Sequence, residues 1–182
     1  MAVVAVMLHF AQANAPFLYE RRLILNGEIW RMWTGHLAHF GLSHLGWNLC
    51  VFVPAGCWFE NLRPCAARWL YALGLPFISA ILLVADPTLE TYAGLSGIAT
   101  AVLVALAVLQ LGRPEARPLW FWWAVLALVA GKVGLELFSG RPLLVSGFDH
   151  VRDVPLAHVG GAVAGVATGL LAGWGCGKRH AA

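Results

Sequence analysis

Charge is scarce in this chain. Of its 182 residues, 12% are Asp, Glu, Lys or Arg, where a soluble domain carries about 25%. The 12 Lys and Arg exceed the 9 Asp and Glu only slightly, for a net charge of +3. No block of like charge forms a basic arm or acidic tail, so no nucleic-acid partner is expected. Cysteine is sparse too. Cys50, Cys57, Cys65 and Cys176 make no CxxC pair and no zinc spacing with histidine, and they read as packing residues or reduced thiols. The HExxH pattern of membrane zinc proteases is absent, and neither a metal nor a cofactor is expected. The GxSxG elbow of soluble α/β-hydrolases fails because position 98 is Ile.

What is present is apolar. Sixty per cent of the residues are hydrophobic, more than one soluble core needs, so the lipid bilayer is the expected solvent for much of the surface. Apolar runs at about 37–59, 69–85, 95–111, 119–138 and 154–175 approach the ~20 residues that cross a hydrocarbon core. Polar, Gly and Pro clusters at 60–64, 86–94, 112–118 and 139–153 divide them. Residues 1–18 are apolar but contain His9, Gln12 and Asn14. Residues 1–13 as a helix reach about 20 Å, short of the ~30 Å core. Ala13-Asn14-Ala15 offers a signal-cleavage pattern, but no Lys or Arg precedes Arg21, against a signal peptide. The reading adopted is a first helix, short or truncated, giving six spans in a single domain over 1–182. Charge bias does not orient them. With both termini inside, six basic residues fall in inner segments (Arg63, Arg68, Arg113, Arg117, Lys178, Arg179) and five in outer ones (Arg21, Arg22, Arg31, Arg141, Arg152).

Polar residues inside spans are costly and mark function. The second span holds His39, His44 and Asn48. His44 and Asn48 are four apart and share a helix face. The fourth opens with Gly94-Leu95-Ser96-Gly97, and the sixth with His158. In a six-span chain the second, fourth and sixth helices enter from one side. Ser96 and His158, each expected about one turn into its helix, then meet at one depth near the outer surface. His44 and Asn48 lie slightly deeper. A nucleophile, a base and two hydrogen-bond donors converge, the set that acyl transfer requires. Gly161, Gly165 and Gly169 recur every four residues after His158 and allow close helix approach. Taken singly, a membrane serine is usually a packing residue bonded to its own helix, and GxxxG is ordinary packing. The joint pattern favours catalysis. A haem or metal carrier built on His36, His39, His44 and His158 is disfavoured, because His39 and His44 are five apart and poorly aligned.

The ordered set Glu28-Ile29-Trp30-Arg31, His39-Phe40, His44-Leu45, Asn48, Glu60, Gly94-Leu95-Ser96-Gly97 and Ala157-His158 with Gly161 and Gly165 resembles the rhomboid intramembrane proteases over nearly the whole chain. The resemblance implies an all-α membrane protein with a rhomboid-like bundle of six transmembrane helices. It implies Ser96 as nucleophile, His158 as general base, and His44, Asn48 and the Ser96 N–H as oxyanion hole. It further implies Trp30 and Arg31 as the motif of the first loop, Glu60 as a structural acid closing the second helix, and His39, Gly94 and Gly97 as supporting residues. The substrate would be a membrane-anchored protein.

Thr34-Gly35-His36-Leu37, the Lys132 and Glu136 pair four apart in the fifth span, and the minimal core are similar to the bacterial rhombosortases. That implies processing of C-terminal Gly-Gly sorting tails in a bacterial inner membrane, with the site near the periplasmic face. Lys132 and Glu136 also read simply as an internal ion pair. One departure concerns Thr100, where many rhomboids carry an aromatic residue stacked on the histidine, so His158 must be oriented from elsewhere. No third acid is evident: Asp153, five residues before His158, reads as a helix-start residue. Loop 139–153 is long enough for a lid. The rival within the resemblance is a catalytically inactive rhomboid-like membrane chaperone, which normally lacks the Ser or His that are both present here.

Overall fold

The computed structural model describes residues 1–113, 118–139 and 154–174. Loop 139–153 beyond its first residue, Asp153, and Cys176 lie outside the described residues. The order is α1 (Ala2–Phe10), a 3-10 turn at Ala15–Phe17, β1 (Tyr19–Glu20), α2 (Arg21–Leu25), α3 (Arg31–Thr34), α4 (Leu42–Leu62), α5 (Pro64–Trp69), a wide turn at Leu70–Gly74, α6 (Leu75–Ala85), β2 (Thr91–Tyr92), α7 (Ser96–Leu111), α8 (Leu119–Ser139) and α9 (Pro155–Trp174). The chain is an all-α membrane bundle. Pro64–Ala85, Leu119–Phe138 and Pro155–Gly173 are long and apolar enough to cross a bilayer, and Ser96–Leu111 is a shorter apolar helix.

The apolar runs map onto helices with small boundary shifts. The second run starts at Leu42 instead of 37, because Gly41 is extended at φ −159°. The first run yields only the nine residues of α1, a rise of about 13 Å. The segment between α1 and α4 folds into two short helices and a strand. Its β1 pairs antiparallel with β2, Tyr19 opposite Tyr92 and Glu20 opposite Thr91. Arg31 is the buried anchor of this segment. It donates to Glu28 Oε2 (2.7 Å), Leu18 O (2.8 Å) and Glu20 Oε1 (3.3 Å). Trp30 points outward.

Proline explains the wide turn. Pro76 has no N–H, so the carbonyl of Ala72, four residues earlier, loses its helical donor. The indole Nε1 of Trp33 supplies the missing bond at 2.9 Å, tying the first loop to the third span. Glu60 accepts from Tyr71 Oη at 2.7 Å, which fastens the far end of α4 to the same span.

The central helix is α7. Eleven of its sixteen positions are buried and none is exposed, the pattern of a helix apolar all round, and it packs against α4, α8 and α9. Glycine sets the α7–α9 distance. A Cβ at Gly161, Gly165 or Gly169 would run into the carbonyl oxygens of Gly97, Ala101 and Ala105, one per turn. Small residues let backbones approach this closely, and dispersion along the seam then replaces side-chain packing. In contrast α8 turns Trp120, Phe121, Trp123, Leu128 and Phe138 outward, as a lipid-facing helix with an aromatic end does. Of the two sequence readings of the cysteines, those among the described residues fit free thiols and not core packing. Cys50, Cys57 and Cys65 are unpaired and exposed, so they sit on the outer surface of the bundle and fill no core.

Candidate active site

The starts of α4, α7 and α9 meet at one end of the bundle. Ser96 is the first residue of α7, not one turn in as the sequence suggested. The N–H groups of a helix's first turn have no intrahelical partner and sit at the positive end of its dipole. Ser96 therefore stands where backbone donors are free to meet an anion. His158 is the fourth residue of α9, one turn in as expected. Gly97 brings the two together: a Cβ there would lie 3.0 Å from Ala157 O, the carbonyl just before His158.

The approach to Ser96 is tied down by backbone and buried side chains. Gly94 has φ +134°, a conformation that disfavours any side chain. A Cβ there would also strike the His44 ring, 2.6 Å from Cε1 and 2.9 Å from Nε2. His44 thus lies directly over the turn that presents Ser96. Gly94 N–H donates to Gly35 O (3.2 Å), and Tyr92 Oη donates to Gly94 O (2.8 Å). The Thr34–Leu37 turn is held in turn by His36, whose Nε2 reaches Leu75 O (3.0 Å) and Ser79 Oγ (3.1 Å). Ser79 Oγ donates onward to Met32 O at 2.8 Å. His36 is fully buried, and desolvation pushes its pKa down from 6.5 to about 4, so the ring is neutral.

His39 organises the donors. Its Nδ1 faces Leu37 O at 3.1 Å, which requires Nδ1–H and leaves Nε2 as acceptor. That Nε2 receives Asn48 Nδ2 (3.2 Å) and Leu95 N–H (3.3 Å). One imidazole lone pair therefore fixes both the Asn48 amide and the residue before Ser96. The second amide hydrogen of Asn48 remains for another acceptor. Thr100 turns its hydroxyl back to Ser96 O (2.9 Å), the usual habit of a helical threonine. It does not support His158.

The ring of His158 is held from α8. Its Nδ1 lies 2.8 Å from Glu136 Oε2, and Lys132 Nζ contacts the other oxygen of that carboxylate. Glu136 and His158 are both buried, at 1% and 6% side-chain exposure. The sequence had marked Lys132 and Glu136 as a pair but not as partners of His158. A costly buried carboxylate was the available signal. What it lacked was the packing of α8 on α9.

Of the residues singled out from sequence, Ser96, His158, His44, Asn48, His39, Gly94 and Gly97 converge here. Gly161 and Gly165 maintain the helix contact beneath them. Trp30 and Arg31 belong to the outer loop, and Glu60 lies at the opposite end of α4. A serine opening α7, with His44 and Asn48 on the start of α4 and His158 on the start of α9, is a set able to do acyl transfer. His158 is bonded to Glu136 and not to Ser96. Catalytic hydrogen bonds often tighten only with substrate bound.

The bundle thus gathers a serine, three histidines and an asparagine at the helix starts of one end. The rhomboid domain model matches residues 26–175, and the chain belongs to the rhomboid family. That family consists in general of intramembrane serine proteases. No curated protein matches the chain.

Proposed function

We propose that this chain is an active intramembrane serine endopeptidase, with Ser96 as nucleophile and His158 as general base. His158 Nε2 takes the proton of Ser96 Oγ, and the alkoxide attacks the scissile carbonyl to give an acyl-enzyme. The protonated ring returns its proton to the leaving amine. Water, deprotonated by the same ring, then releases the acyl group. The oxyanion is held by the Ser96 N–H, Asn48 Nδ2–H and the His44 ring. Each such donor contributes about 10²–10³ in rate in a water-poor site. The observation that carries the reading is Ser96 as first residue of α7 against a glycine-bound α9 bearing His158.

The substrate class is a membrane-anchored protein cleaved in or near its spanning segment. The turn at Thr34–Leu37 and the Lys132–Glu136 pair support the finer reading of a rhombosortase. Such an enzyme trims C-terminal Gly-Gly tails at the periplasmic face of a bacterial inner membrane. The whole of 1–182 acts as one protease domain in this reading.

The test is labelling of membranes with a fluorophosphonate. Wild type is expected to label, and Ser96→Ala and His158→Ala to lose labelling while remaining folded. A second reading is an inactive rhomboid that binds membrane proteins, and the observation that favours it is that His158 is bonded to Glu136 and not to Ser96. Well-folded wild type that neither labels nor cleaves would establish that reading in place of the protease.

A further inference from the structure

We propose that Glu136 is the positioning residue of His158, so that the site operates as a Ser–His–Glu arrangement with Lys132 setting the carboxylate. This rests on the protease reading above.

The argument begins with cost. A carboxylate at 1% exposure on an apolar helix is expensive unless every oxygen is satisfied. Glu136 is satisfied by two donors from two directions. Lys132, one turn earlier on α8, takes Oε1, and His158 on α9 takes Oε2 at 2.8 Å. An internal ion pair would need only the first contact. The second commits the carboxylate to the histidine.

Hydrogen-bond chemistry then fixes the tautomer. A carboxylate only accepts and an ammonium only donates. Lys132 Nζ is 3.4 Å from His158 Nδ1 and Glu136 Oε2 is 2.8 Å away, so the closer partner is the acceptor. Nδ1 therefore carries the hydrogen and Nε2 keeps its lone pair. That is the form a base for Ser96 requires. When the ring takes the serine proton, the adjacent carboxylate compensates the new charge. Stacking on residue 100 cannot do this work, because Thr100 bonds its own helix.

Lys132 makes a sharp expectation possible. In Glu136→Gln the ammonium still requires an oxygen, so the amide turns its carbonyl to Lys132 and its NH₂ to His158. The NH₂ donates to Nδ1 and drives the ring to the Nε2–H tautomer, which cannot accept from Ser96. Removing the ammonium as well, in Lys132→Met with Glu136→Gln, frees the amide to turn its carbonyl towards Nδ1–H.

Two measurements test this. In membranes, the fluorophosphonate labelling rate of Glu136→Gln is expected to fall at least about 10²-fold. Glu136→Asp should recover to within about tenfold of wild type, and the Lys132→Met/Glu136→Gln pair should label faster than Glu136→Gln alone. Simple loss of a structural ion pair would make the pair variant the slowest. In ¹⁵N-histidine protein reconstituted in phosphatidylethanolamine and phosphatidylglycerol vesicles, solid-state NMR reads the tautomer, His158 being assigned by its loss in His158→Ala. Wild type is expected to be Nδ1–H and Glu136→Gln to be Nε2–H. A wild-type Nε2–H ring overturns the proposal. So does a Glu136→Gln rate within threefold of wild type where Ser96→Ala is silent, or a double variant no faster than the single. If wild type itself does not label, the protease reading fails, and the NMR result still decides whether Glu136 sets the ring.

Discussion

Around Ser96 the main chain itself is fastened. Gly94 bonds Gly35, Leu95 bonds His39, Tyr92 bonds the Gly94 carbonyl, and α9 lies against Gly97. Around His158 the ring depends on one carboxylate from α8, a helix that turns many large apolar side chains outward. The serine half is over-determined by several elements, whereas the histidine half is set by one. Redundancy makes the first less sensitive than the second to loss of one side chain. The second is sensitive to a one-atom change and open to adjustment through the packing of α8.

The comparison breaks most severely where the two halves join. Gly161→Ala places a Cβ on the Gly97 carbonyl, so α7 and α9 must separate. A loss of about 2–3 kcal/mol is expected from forcing atoms into a filled contact, with labelling of Ser96 lost as well. Melting in detergent by fluorescence-detected size exclusion checks it. A melting temperature equal to wild type would show that the seam is slack.

Within the serine half the effect should be smaller. His39→Ala leaves Leu95 N–H and the Asn48 amide without their shared acceptor. We expect about 1–3 kcal/mol of destabilisation from the unsatisfied donors. A 10- to 10²-fold slower labelling should accompany it as Asn48 drifts, below the cost of removing an oxyanion donor outright. If His39→Ala were slower than Glu136→Gln, the contrast between a redundant half and a singly held one would be wrong.

At neutral pH the smallest effect belongs to His36→Gln, and it emerges on acidification. The folded ring titrates at about 4 and the unfolded one at 6.5. Between those values the unfolded chain binds the proton first. The contribution of His36 to stability is therefore complete above about pH 6.5 and is lost as pH falls through about 4. The stability of His36→Gln should fall less than that of wild type over this window, measured by melting in detergent at stepped pH. Parallel curves would place the titration elsewhere.

The spans were legible because lipid demands long apolar runs and backbone that bonds to itself, and both leave marks in composition. The glycine register after His158 was legible for a similar reason. Only small residues at four-residue spacing permit that contact, so Gly161, Gly165 and Gly169 announce it. The site residues stood out because polar groups are rare at such depth. The short strands at Tyr19–Glu20 and Thr91–Tyr92 were not readable. Two residues carry no periodicity, and Tyr19 and Glu20 pair with Tyr92 and Thr91, far away in the chain. That Cys50, Cys57 and Cys65 are free thiols facing outward and not core packing could not be chosen from sequence, because an apolar run does not say which of its faces meets lipid.

Sequence alone determined that this chain is a lipid-embedded helical bundle with Ser96, His158, His44 and Asn48 on helices that start from one side. Span length, spacing and the expense of buried polarity are local properties that a string of residues carries. Only the tertiary structure decided that Trp33 completes the carbonyl freed by Pro76, that His39 holds both Asn48 and Leu95, and that Glu136 faces His158. Each of these is a hydrogen bond between groups far apart in the chain. Their partners are chosen by how helices cross, and no local pattern records that choice.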